Sequence, residues 1–370
     1  MSESAPQIDL ELFRLCLDAE EDDLADLMAA ARATAPNLPH LLLSILHRDG
    51  HPLGSGARDE LRRARHRAED YRGLHRILAA EVGCRVLKGP ALGRLYPDGL
   101  LRPVGDLELA VADEPALWRA VRRVRRERPV QRIDVCLMGA DHRHVSAVLH
   151  WPSLDPLLDG PNLVEIRTAA LPGNFRTVVP RTRLPEHPWT AGLLAVAEER
   201  FQRPFGPRDA MDMFALAGAD CAPGPEAVAE QMAGLHMEPE VVELLHYAGS
   251  RADLGPLEEL RYLIAVAADR EVQRREEAEA HGSALSAAWE DGDGRCPSNR
   301  AGGLPIHGLP LRPVETGRED WQRVRLREFD EGTLLLTPVG DYLLAGRPLV
   351  SSAQYDSACR ELDRLDAVAG

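Results

Sequence analysis

The sequence predicts an α/β fold of the α+β kind, a small mixed sheet flanked by N-terminal and C-terminal helical regions. Three observations carry this. Apolar residues recur at helical spacing from residue 8 to about 80 and again from Trp189 onward. Between these stretches lie short apolar runs of strand length, broken by Gly and Pro. Their order is strand, helix, strand, helix, then three strands, as in a compact mixed sheet.

Leu10, Phe13, Leu17, Leu24 and Leu27 begin the first helical region, and residues 41–46 add a second apolar patch. Residues 57–78 are rich in Arg and Glu, with Leu61, Tyr71, Leu74 and Leu78 recurring, and read as one long amphipathic helix. At Cys84 the pattern changes. Residues 84–87 form a short strand ended by Lys88-Gly89-Pro90, and Pro90 suits the first turn of a short helix over 90–96. After a loop through Arg102-Pro103 and Gly105, DLELAVA (106–112) reads as a strand, 114–126 as a helix, and 130–138, 144–150 and 163–168 as strands. Helices follow at 193–201, 208–216 and 227–280. Residues 290–305, rich in Gly, Pro, Asp and Ser, read as a linker or loop. Beyond it, 332–344 is a strand with a turn or short helix, and 353–366 a terminal helix. The expected organisation is 1–79 helical, 80–180 the sheet-bearing core, 181–289 helical, 290–305 linker and 306–370 a C-terminal region.

Composition narrows the function. The net charge is −15, which opposes a nucleic-acid backbone unless a basic groove is set apart. The one arginine-dense stretch, 119–128, lies on a predicted helix with Trp118, Val121 and Val124 on its apolar side, so its arginines are expected to form a solvated face. Six cysteines lie far apart without a CxxC pair, which fits reduced thiols rather than disulfides or a zinc site. Neither a signal peptide nor a membrane span is expected, so the reading is a soluble, cytoplasmic protein. The Asp-His-Arg-His run at 141–144 reads as a solvated loop. Asp-Gly-Asp-Gly at 291–294 is no calcium loop, because its twelfth position falls on Gly302.

Lys88 is the single lysine among 44 basic side chains, and arginine does not replace a compact ammonium where a point charge is required. It stands between a strand and a helix start, beside Gly89, where backbone amides can approach a phosphate. Arg102 lies across a turn from the next strand and is expected to serve the same anion. Asp106 and Glu108 are two apart on that strand, so their side chains share a face. Adjacent carboxylates repel, and a cation relieves them; hard oxygen donors suit Mg²⁺ together with substrate phosphates. A third carboxylate is expected from a neighbouring strand: Glu165 in LVEIR (163–167), with Asp134 in RIDVC (132–136) as its competitor.

The stretch LKGPALGRLYPDGLLRPVGDLELAV (87–111) resembles the signature of a largely uncharacterised nucleotidyltransferase family within the DNA polymerase β-type nucleotidyltransferase superfamily. The resemblance is specific over about 25 residues and extends in outline over 80–220. It implies that Lys88 and Gly89 are nucleotide-loop positions, that Asp106 and Glu108 are metal carboxylates and that Glu165 is the third, all three acting as catalytic metal ligands. RDAMDM (208–213) resembles the helix following the catalytic domain, with Asp209 and Asp212 in packing roles. Three departures stand out. Glu108 replaces an Asp. Arg167 stands where a His follows the third acid, and it joins Arg102 among the expected nucleotide contacts. The Leu-His-Trp of the pattern occurs at 149–151 with Val148 in the acidic place. The implied activity is two-ion Mg²⁺-dependent transfer of a nucleoside monophosphate from an NTP such as ATP to a small-molecule, peptide or protein acceptor, releasing pyrophosphate. The alternative is a non-catalytic protein that keeps the fold to bind nucleotide or a protein or peptide partner.

Overall fold

A computed structural model describes residues 6–19, 23–139, 143–287, 305–314, 317–318, 320–345 and 350–369. The expected linker, with its Asp-Gly-Asp-Gly run, lies outside these residues apart from its last position, as do Asp141 and His142. The described residues form a mixed α/β structure of twelve α-helices and one nine-stranded sheet. Among them, no helix is long and apolar enough to cross a membrane.

The helices are α1 (Leu10–Cys16), α2 (Leu24–Thr34), α3 (Leu38–Arg48), α4 (Ser55–Val82), α5 (Pro90–Gly93), α6 (Glu114–Glu127), α7 (Pro188–Ala197), α8 (Pro207–Ala217), α9 (Pro225–Met232), α10 (Glu238–Gly249), α11 (Leu257–Ala287) and α12 (Ser352–Ala369). The strands are β1 (Arg85–Val86), β2 (Leu107–Ala110), β3 (Arg132–Met138), β4 (His144–Trp151), β5 (Asn162–Arg167), β6 (Ile306–Pro313), β7 (Arg325–Phe329), β8 (Gly332–Leu336) and β9 (Gly340–Ala345), in the order β1-β2-β5-β4-β3-β6-β9-β8-β7. Only the β2–β5 pair is parallel.

The sheet is larger than the sequence predicts, because β6 to β9 extend it beyond β3. Pro310 and Pro313 obscure β6 as a strand, and its pairing with β9 shifts between Pro310 and Arg312, where a proline without an amide hydrogen is tolerated. The exposed, charged β7 has no alternation to read. The two helical regions also join: buried residues from Ile8 to Leu46 and from Trp189 to Ile264 share one hydrophobic core.

α4 and α6 cover one face of the sheet. Asp113 starts α6 by accepting the Ala116 amide at 2.8 Å, and Leu117, Trp118, Val121 and Val124 sink onto Leu107, Leu109, Val164 and Ile166. From α4, Tyr71, Leu74 and Leu78 join them. The arginines of α6 are not simply a solvated face. Arg123 and Arg128 pair with Glu81 and Asp70 of α4, while Arg122 and Arg125 donate to the carbonyls of Trp321 and Val314. They hold α6 to its neighbours on both sides.

The fully buried Tyr71 pins the end of the β2–β5 pair from which the candidate site begins. Its hydroxyl donates to the Gly105 carbonyl at 3.0 Å and accepts the Leu163 amide at 2.9 Å. Tyr71→Phe removes both bonds and leaves a backbone donor and an acceptor unpaired. The expected loss is about 1–3 kcal/mol, measured by urea unfolding; an unchanged midpoint and slope contradicts this role.

Candidate functional site

The face of the sheet opposite α4 and α6 carries the polar side chains. Asp106 immediately precedes β2 and Glu108 lies within it. Glu108 is cross-strand partner to Glu165 on β5, so these two carboxylates lie side by side on adjacent strands, with Asp106 at the head of β2. The 3-10 turn at Glu198–Phe201 and the start of α8 supply further charges there.

Glu108 is buried and held on both oxygens. Lys88 Nζ lies 3.0 Å from its Oε1, and Arg167 Nη2 donates to its Oε2 at 2.9 Å. Burial opposes its charge, but Lys88 and Arg167 outweigh burial and lower its pKa to about 2. Lys88 also donates to Glu199. Burial disfavours its ammonium too, yet Glu108 and Glu199 raise its pKa and keep it charged. The only lysine is therefore a buried cation paired with two carboxylates, rather than one standing free at the turn. The helix after it, α5, spans four residues and begins with a proline, so it offers little dipole to an anion. Gly89 has φ +63° and ψ −112°, a backbone conformation that side chains disfavour, which accounts for glycine at this turn.

Asp106 contrasts with Glu108. Its carboxyl makes no hydrogen bond or ion pair with any described residue. Burial first, and Glu108 second, push its pKa up to about 6. Arg208, at the start of α8, opposes that shift along with Lys88 and forms no ion pair among the described residues. Glu165 accepts from Ser146 Oγ at 2.7 Å and lies 3.5 Å from Arg167 Nη1. Its competitor Asp134 is further along the sheet, bound to Arg132 and to His150 Nε2.

Of the expected nucleotide contacts, Arg102 is corrected. Arg102 and Asp212 are each 2% exposed, and Arg102 donates through Nε and Nη2 to the two Asp212 oxygens at 2.7 Å each. Tyr96 donates to the same carboxylate at 2.8 Å. This bidentate pair fastens the loop before β2 to α8 and leaves Arg102 no reach for a phosphate. Arg167 is likewise buried between Glu108 and Glu165. Asp209 accepts the Gly206 amide and pairs with Arg203, a capping and packing role.

Among the described residues no three His, Cys, Asp or Glu side chains are grouped to hold a metal ion. Glu165, drawn toward Ser146 and Arg167, does not complete a metal triad. A cation here would have only Asp106 and Glu108 as protein donors, the latter with both oxygens already paired, and not three carboxylates holding two ions. Glu199, Arg208 and Ser146 escaped the sequence reading as site residues, and His150 entered it only within the Leu-His-Trp run. Glu198-Glu199 at the end of an otherwise apolar helix was the available signal for Glu199, and the first position of RDAMDM was the signal for Arg208.

Asp106 and Glu108 are expected to respond oppositely to neutralisation. A carboxyl whose folded pKa is raised contributes stability below its unfolded pKa and loses it as pH rises toward 6. Asp106→Asn should therefore match the parent near pH 4 and exceed it by roughly 1–3 kcal/mol at pH 7. Glu108→Gln strips a buried lysine and arginine of their shared partner and should cost about 3–5 kcal/mol at pH 7. Urea unfolding at the two pH values checks both. Equal destabilisation by the two variants contradicts the assignment.

In comparisons with known proteins the chain matches no family model, no curated protein and no solved structure.

Proposed function

We propose that this chain is a nucleotidyltransferase of the polymerase β type, which transfers a nucleoside monophosphate from an NTP to an acceptor and releases pyrophosphate. The observation that carries the reading is the unpartnered carboxyl of Asp106, set at the start of the strand that bears Glu108. A half-buried acid that makes no hydrogen bond or ion pair among the described residues, beside a second carboxylate, is costly to the fold, and a divalent cation held by both would relieve that cost. The motif over 87–111 supports the same reading.

When bound, Mg²⁺ would be held by Asp106 and Glu108 and would neutralise charge on the phosphates. The protein's own cations stand on the same side. Arg208 is free to take a phosphate oxygen, while Lys88 and Arg167 are already charged and dehydrated beside Glu108. Lys88 and Arg167, both held by Glu108 here, would be the cations left available to the polyphosphate if Glu108 took a metal ion instead. Pre-placed cations of this kind stabilise developing negative charge without reorganising water.

A second reading has its own support. Both Glu108 oxygens are occupied, and no third carboxylate joins the pair. These features favour a protein that binds nucleotide or a partner without transfer.

Isothermal titration with ATP, with and without Mg²⁺, is paired with pyrophosphate release on a panel of small-molecule and peptide acceptors. The transfer reading expects Mg²⁺-dependent ATP binding and acceptor-dependent release. It also expects Asp106→Asn to abolish release, and Arg208→Ala to weaken ATP binding about tenfold, the loss of one charge-assisted hydrogen bond. ATP binding indifferent to Mg²⁺, without release from any acceptor, favours the non-catalytic reading. Release retained by Asp106→Asn overturns the metal assignment.

A further inference from the structure

The sheet register carries the polar face beyond the candidate metal ligands. Glu108 pairs with Glu165, Glu165 with Val148, and Val148 with Asp134, so these four form one transverse row across β2, β5, β4 and β3. Cross-strand partners point to the same side. In the adjacent row, at the end where Asp106 stands, Leu163 pairs with His150 and His150 with Arg132. His150 Nε2 lies 2.8 Å from Asp134 Oδ2, and Arg132 donates to the same carboxylate through Nε and Nη2. His150 is thus the one imidazole on this face with an acid fixing its ring, among the described residues.

Its position matters as much as its partner. Strands lie about 4.8 Å apart, so β4 stands roughly 10 Å across the face from β2, with Leu163 and Val148 as a half-buried apolar floor between them. Lys88 follows β1, which pairs with β2 on the side away from β5 and β4, and it reaches Glu108 from there, marking the polyphosphate side. In an in-line transfer the nucleophile and the leaving group occupy opposite sides of the phosphorus. The acceptor side is therefore the one where His150 waits.

Charge narrows the acceptor. Arg132 is engaged by Asp134, and Arg167 by Glu108 and Glu165. Asp134 is neutralised by Arg132 in turn, whereas Glu165 shares its one cation, 3.5 Å away, with Glu108 at 2.9 Å, so among the described residues the stretch facing an acceptor offers it the carboxylate of Glu165 and no free cation.

We infer that His150, oriented by Asp134, is the general base toward the hydroxyl of a positively charged amino alcohol; this rests on the transferase reading above. The hydroxyl oxygen forms the new bond to the α-phosphorus. The bond from that phosphorus to the bridging oxygen breaks, and pyrophosphate leaves with the electron pair. The hydroxyl proton passes to Nδ1 of His150, and Asp134 stabilises the resulting imidazolium through Nε2.

Three probes of one size separate the charge requirement: 2-amino-1,3-propanediol, glycerol and glycerol 3-phosphate. Nuclear magnetic resonance of the His150 ring, in protein without metal or nucleotide, should show shifts with the amino diol, weaker shifts with glycerol and none with the phosphate. With Mg-ATP, the amino diol should support pyrophosphate release. His150→Gln should cut that release at least 100-fold while ATP affinity stays within twofold, and Asp134→Asn should cut it by a smaller factor. Equal or stronger ring shifts with glycerol 3-phosphate, no ring shift with any probe, or parental release by His150→Gln each overturn the inference. So does an absence of amino diol turnover. ATP titration and pyrophosphate release from the wider acceptor panel, run in parallel, separate the two failures: release from another acceptor overturns this inference alone, whereas loss of Mg²⁺-dependent ATP binding, or release from no acceptor, overturns the transferase reading with it.

Discussion

Glu108 holds the site together. Its two carboxylate oxygens are taken by cations from two different parts of the chain, Lys88 from the turn after β1 and Arg167 from β5. Lys88 passes the connection to Glu199, and Arg167 passes it to Glu165. A charge buried this deeply is tolerated only with well-placed partners, so the sheet and the helices beyond it are constrained to meet where these groups meet. Arg102 and Asp212 repeat the device a short way along, fastening the loop before β2 to α8. Between the two clamps stands Asp106, the one acid of the group without a partner among the described residues.

That contrast gives the site its chemical sense. Most of its charges are spent on the fold, and a compact set is left over: a carboxyl that burial and a like neighbour hold partly protonated, and an arginine without an ion pair. A fold optimised only for stability would pair or remove such groups. Their survival at the head of the strand that carries Glu108 is the physical argument for a ligand that brings both a cation and an anion.

Much of this was legible in the sequence, and the missing parts share one cause. DLEL (106–109) alternates as a strand should, and the helical spacing of Tyr71, Leu74 and Leu78 marks the side of α4 that covers the sheet. What could not be read were partnerships over long separations. Arg102 resembles a phosphate ligand until Asp212 is brought to it from 110 residues away. Lys88 appears free until Glu199 arrives from 111 residues away. β6 was hidden locally, because Pro310 and Pro313 argue against a strand that only β3 and β9 on either side make possible. Local pattern reports the period of a strand; it does not report which charges the tertiary fold will neutralise.

The central claim is that Asp106 and Glu108 share a divalent cation when a nucleotide is present. A crystal grown with Mn²⁺ and a non-hydrolysable ATP analogue, measured for anomalous scattering from manganese, tests it most directly. The account predicts a manganese peak within coordination distance of both carboxylates, with Lys88 or Arg167 turned from Glu108 toward the phosphates. Bound analogue with no peak there, and Glu108 still gripped by both cations, would contradict it.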